Sequence, residues 1–161
     1  FMAFLMATTE SYNLNWPSGE DKMLLVSIGT GTSPDANADL SPNDMNLVFN
    51  ASRIPSALMY AALNEQDFLC RTFGKCLAGD ELDREVGDMI GKKGPMPKKL
   101  FTYMRYNAEL TQKGLASLGL PDIVPENVQK LDSIQYISDL QRIGKAVVDK
   151  KVNIADFGQF I

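Results

Sequence analysis

The segment Met23-Leu24-Leu25-Val26-Ser27-Ile28, running into Gly29-Thr30-Gly31-Thr32, constrains the fold more than any other part of this chain. Four apolar residues, a serine and an isoleucine stop abruptly at a glycine–threonine repeat. A short apolar run bounded by turn residues is the pattern of a strand buried in a parallel sheet. Loops at the carboxyl ends of such strands are where open α/β sheets hold ligands. The segment predicts a strand over 23–29 and makes loop 29–32 the first place to look for chemistry.

The remaining pattern is mostly helical. Residues 1–10 read as the end of a buried helix, and the Asn-, Pro- and Gly-rich stretch 13–21 as a loop. Ser33 to Asp39 reads as polar loop. Pro42 opens a short helix over 43–51, with Met45, Val48 and Phe49 on one face. Pro55 starts a second helix, whose apolar residues recur at Leu58, Ala61, Ala62, Leu69 and Phe73 and which stops at Gly74. Residues 76–98 are the least regular. A second strand spans 100–106. Short helices follow over 109–118 and from Pro125, and Asp156 to Ile161 adds a last turn. Ser133 is expected to cap the most amphipathic helix, with Ile134, Ile137, Leu140, Ile143, Val147 and Val148 on one stripe and Lys150 and Lys151 in its last turn. Two strands against five or six helices give a helix-rich α/β chain. Two strands do not make a stable parallel sheet, so further strands are expected from outside it.

Composition narrows the function. The 161 residues suit one domain, and 45% apolar with 22% charged residues is ordinary for a globular protein. A net charge of -4 argues against a nucleic-acid partner. With two cysteines and no histidine the chain lacks the ligand set of a zinc site. Cys70 and Cys76 read as buried or free thiols in a reducing compartment, which makes the cytoplasm the expected location. Phe1 to Ala7, the longest apolar run, is too short to span a bilayer and has no basic region before it. It is apolar on every face and uncapped. The expectation is therefore a fragment that starts inside a folded domain.

No catalytic motif is complete. Pro34 stands where the dinucleotide fingerprint needs its third glycine, and Ala51 where it needs an acidic residue. The glycines of loop 29–32 then read as permitting a sharp turn close to neighbouring backbone. A Ser-His-Asp triad is impossible without histidine, and a Gly-x-Ser-x-Gly elbow is missing; Gly114 to Gly119 has one residue too many. Glu65 and Asp67 point to different sides of their helix. Asp80, Glu81, Asp83, Glu85 and Asp88 miss the calcium-loop spacing and read as a solvated face. The lysines between Lys92 and Lys99 form a basic loop suited to peripheral contact with anionic lipid.

Taken together, Leu24 to Thr32, Trp16 to Lys22, Ile54 to Met59, Glu65-Gln66-Asp67 and Phe101 to Asn107 resemble bacterial patatin-like phospholipases, in that family's order and over nearly the whole chain. The resemblance implies a three-layer α/β/α fold and hydrolysis of lipid acyl esters by a Ser–Asp dyad that uses no histidine. It also implies that the nucleophile elbow, the oxyanion loop and the Asp-Gly-Gly motif all precede Phe1. Residues 1–161 would form the C-terminal portion of one such domain and be inactive alone. The missing N-terminal part would be its partner and a lipid or ester its substrate. No residue here is then catalytic, cofactor-binding or metal-ligating, no cofactor is expected, and Ser27, Asp21 and Asp67 are not assigned such roles. The alternative is a non-catalytic interaction module, its partner surface made by the Phe1 helix and eight methionines.

Overall fold

The computed structural model describes residues 1–33, 47–130 and 132–161. In chain order the regular elements are helix α1 (Met2–Thr8), strand β1 (Leu24–Ile28), helix α2 (Leu47–Phe73), strands β2 (Lys75–Ala78) and β3 (Thr102–Tyr106), and helices α3 (Gln112–Ser117), α4 (Pro125–Val128) and α5 (Ile137–Lys151). Single 3-10 turns occupy Glu10–Tyr12 and Ile134–Tyr136, and Ile154–Phe160 holds two short 3-10 stretches kinked at Gly158. The predicted polar loop beyond Ser33 and the start of the Pro42 helix lie outside the described residues.

The chain is mixed α/β, built on a three-stranded parallel sheet of order β1-β3-β2. In the centre, β3 pairs with β1 from Leu24 opposite Thr102 to Ile28 opposite Tyr106. Phe101 and the residues of β3 that follow it alternate between two cores. Phe101 and Tyr103 pack with Phe4 and Ala7 of α1 and with Cys70 of α2, while Met104 and Tyr106 pack with Leu115, Val128, Ile143 and Val147 of α3, α4 and α5. Helices thus cover both faces of the sheet, as a parallel sheet requires. That is why β3 is buried almost throughout and shows little apolar–polar alternation in sequence.

Several expectations need correcting. A third strand, β2, follows Gly74 directly; four residues with no periodicity gave it no signal. Among the described residues β1 has a neighbour on one side only, so Val26 is exposed and Ile28 is 80% exposed, rather than buried on both faces. The two helices expected around Pro55 are one helix with Pro55 inside it. A proline removes one ladder hydrogen bond, and here the turns on either side carry the helix through. From Ile54 to Leu63 every residue of α2 is exposed; between Ile54 and Phe73 the buried positions are Asp67, Cys70 and Arg71. Ser133 makes no side-chain cap, and its buried hydroxyl has no partner among the described residues. Of the α5 stripe, Ile143 and Val147 are buried while Ile134, Ile137 and Val148 are exposed. α1 buries Phe4 and Ala7 and leaves Met2 and Met6 exposed.

Gly74 ends α2 for a steric reason. A Cβ there would lie 2.5 Å from the Cys70 carbonyl oxygen and 2.5 Å from the Phe101 ring, which is fully buried. Gly74→Ala is therefore expected to destabilise the fold by about 1–3 kcal/mol in urea denaturation, the usual cost of overpacking. A glycine at a roomier position, Gly144 on α5, should tolerate the same change.

Candidate functional site

Loop 29–32 leaves β1 at the carboxyl end of the sheet, and Asn107, the first residue after β3, locks it. Asn107 Oδ1 accepts a bond from the Gly31 amide at 2.9 Å, and Asn107 Nδ2 donates to Thr32 Oγ1 at 3.0 Å. Thr32 N donates to the Ala108 carbonyl and Leu110 N to the Thr32 carbonyl, which carries the β1–β3 pairing past the strand ends. A side chain at Gly29 would collide with Asn107, and Gly31 has φ +102 with Leu110 pressed against it. The glycines are there for close approach and a sharp turn, as read from the sequence.

A cavity of about 540 Å³ opens beside this loop. The loops that follow all three strands reach it, through Thr32, Asp80 and Glu81, and Asn107 and Glu109; Arg105 and Lys151 add cationic groups. Lys151 Nζ donates to both carboxylate oxygens of Asp80 at 2.7 Å and to the Asn107 carbonyl at 2.9 Å, tying α5 to two of these loops. The position is the one at which open α/β sheets bind ligands.

Beneath the cavity lies a buried charged cluster. Asp67 accepts from Arg71 Nε at 2.9 Å and Nη2 at 2.8 Å, and from the Tyr103 hydroxyl at 2.9 Å. Arg105 Nε stands 3.4 Å from its second oxygen, and Arg105 Nη1 donates to Ser27 Oγ at 2.7 Å. Arg71 also donates to the Asp80 and Asp88 carbonyls, fixing the segment after β2. Burial opposes the Arg71 charge, and the Asp67 carboxylate more than offsets it. Burial raises the Tyr103 hydroxyl and the Cys70 thiol, and pushes the Cys76 thiol up to about 11. Both thiols are buried and free.

This geometry separates the residues most easily mistaken for catalytic ones. Ser27 and Asp67 are close, but Arg105 stands between them. The serine oxygen takes its bond from a cation, and the Asp67 oxygens already face Arg71, Tyr103 and Arg105, so the pair is not arranged as nucleophile and base. Asp21 is exposed and far from both in function: its carbonyl accepts from Gln159. In the acidic segment Asp83 and Asp88 cap local turns, Asp83 through the Glu85 and Val86 amides and Asp88 through the Ile90 amide. Three lysines of the basic loop, Lys92, Lys93 and Lys98, are exposed. Lys99 instead donates to the Thr72 carbonyl at 2.8 Å and closes the end of α2, so three lysines rather than four remain for an outside partner. No helix among the described residues is long and apolar enough to cross a membrane.

Comparison with protein-family models, characterised proteins and solved structures finds no match to this chain.

Two outcomes are expected. Arg71→Lys loses the planar fork and its two carbonyl bonds, and should cost about 3 kcal/mol. Limited proteolysis should then cut first within 79–91; an unchanged digestion pattern would contradict the assignment. The raised thiol and phenol values mean that the folded state holds protons that the unfolded chain has released above about pH 9. Stability contributed by these groups is present below that pH and falls as pH rises through about 11 for Cys76. Denaturation at pH 7.5, 9 and 10.5 should show that decline, and Cys76→Ala should make it shallower.

Proposed function

We propose that this chain is the C-terminal portion of a patatin-like lipid acyl hydrolase domain, forming part of its sheet and one wall of its substrate cavity. The nucleophile, base and oxyanion donors lie on a segment before Phe1, and the substrate is a phospholipid or another lipid ester. One observation carries the reading: separate stretches that resemble that family meet in a single structure. Leu24–Ile28 pairs with Thr102–Tyr106, Asn107 holds Gly31 and Thr32, Asp67 meets Tyr103 and Arg105, and the Glu20 carbonyl accepts from Thr102 at 2.7 Å. The cavity at the strand ends agrees with a sheet that binds its ligand there. Lys92, Lys93 and Lys98 suit contact with anionic headgroups, at about 1 kcal/mol each near a charged surface.

Fluorophosphonate labelling tests the proposal. The purified chain should neither be labelled nor hydrolyse p-nitrophenyl esters. A protein extended to include the residues encoded upstream should be labelled on a serine outside 1–161. Labelling of Ser27, or of any other serine in this chain, would overturn the reading. A second reading is favoured by one feature: Ile54, Leu58, Met59 and Leu63 of α2 are all exposed within a stretch free of charge, which suits an interaction module. An upstream segment with no reactive serine would favour that reading.

A further inference from the structure

Among the described residues β1 forms an open edge of the sheet. In a parallel ladder every second residue sends both its N–H and its C=O to the same neighbour. Thr102 N donates to the Met23 carbonyl and Gly29 N to the Tyr106 carbonyl, so Met23 and Gly29 face β3. Leu25 and Ser27 fall in step with them, and the amides and carbonyls of Leu24, Val26 and Ile28 therefore point away from the sheet. Sheets usually blunt such an edge with charge, a bulge or a very short strand. β2, at the other edge, is blunted in this way: it has four residues, an exposed Lys75 and an irregular register between Cys76 and Ala78. β1 has none of these devices. Its five residues pair regularly, carry no charge, and leave Val26 and Ile28 exposed. Beside β1, on the face covered by α1 and α2, lies a second cavity of about 260 Å³. Phe1, Ala3, Leu25 and Leu63 wall it with hydrocarbon, and its charged end is already satisfied by the pairing of Asp67 with Arg105.

The order of the elements says which segment covers this edge. Crossovers between parallel strands of one sheet are, as a rule, right-handed. From β1 the chain crosses through α2 to β2, stepping past β3, and α2 lies on the face of Leu25 and Tyr103. Phe4 and Ala7 of α1 pack on that same face. Crossovers of one hand on one face step in one direction. A strand that crosses through α1 into β1 therefore lies on the side of β1 away from β2, which is the open edge. We infer that the segment entering α1 contains a parallel strand that pairs with Leu24, Val26 and Ile28 and makes β1 an interior strand. With Val26 and Ile28 on one face and the cavity on the other, this strand is apolar on both faces, as a strand inside a parallel sheet is. The inference rests on the proposed hydrolase domain only in that a segment precedes Phe1, and it assigns that segment no chemistry.

Amide hydrogen exchange tests this in a protein extended to include the residues encoded upstream, with Leu25 and Ser27 as internal references. After correction for intrinsic rates, Val26 and Ile28 should exchange within about tenfold of Leu25 and Ser27 there, and about 100-fold faster than them in the purified chain. Ile28→Lys supplies a second measurement. It should leave the urea midpoint of the purified chain unchanged and lower that of the extended protein by about 1 M or more, because the lysine is then buried. The inference is overturned if Val26 and Ile28 remain about 100-fold faster in the extended protein. It is also overturned if Ile28→Lys costs that protein nothing, or if the two amides are already protected in the purified chain; protection that rises with concentration would identify a second copy as the occupant. Fluorophosphonate labelling of the same extended protein separates the two readings. A labelled serine with an unprotected edge sinks the strand alone, whereas a protected edge without labelling sinks the hydrolase and leaves the strand.

Discussion

The carboxylate of Asp67 is 7% exposed, and it meets Arg71 on its own helix and Tyr103 and Arg105 on the central strand. Through Arg71 it reaches the segment after β2, and through Arg105 it reaches Ser27 on β1. One side chain therefore links α2 to all three strands or their loops. A buried pair of this kind adds little net stability over an apolar filling, because both charges had to leave water. Its effect is specificity. Tyr103 and Arg105 are two residues apart and share a face of β3; a slip of one residue would send both to the other face and leave Asp67 and Arg71 without them. The cluster is satisfied in one register, and that register also puts Asn107 against loop 29–32.

Loop 29–32 depends on this alignment more than on its own sequence. Glycines let the chain turn, but Asn107 decides where it goes, by taking the Gly31 amide and holding Thr32. Lys151 does the same from the opposite side, joining Asp80 to the Asn107 carbonyl. The 540 Å³ cavity is thus framed by bonds between loops from different strands, while the hydrocarbon cores lie on either side of the sheet. Rigid strands with cross-linked loops are what a preformed ligand site requires.

Local signals in the sequence identified the elements with strong local causes. The β1 run, the Gly74 stop, the helix opened by Pro125 and the general position of β3 each follow from a residue type acting within a few positions. What escaped notice has non-local causes. β2 is Lys-Cys-Leu-Ala, too short for any period, and exists because β3 offers it an edge. Asp67 was legible as a helix residue facing away from Glu65, but its partners Tyr103 and Arg105 lie 36 and 38 positions further along. Lys99 looked like one more member of a charge run, and only the end of α2 turns it into a cap. The expected stripe on α2 holds only in part, because Leu58, Ala61 and Ala62 face solvent, where no packing selects which residues are apolar, while Leu69 and Phe73 are partly buried.

The central claim is that Asp67 and Arg71 act as one unit in organising the sheet. A double-mutant cycle measures it: urea denaturation of the parent chain, Asp67→Asn, Arg71→Met and the double variant. Each single change leaves a buried charge or acceptor unpaired, whereas the double change removes both, so a coupling energy of about 2 kcal/mol or more is predicted. Additivity within about 0.5 kcal/mol would show that the two residues act independently and would contradict the account.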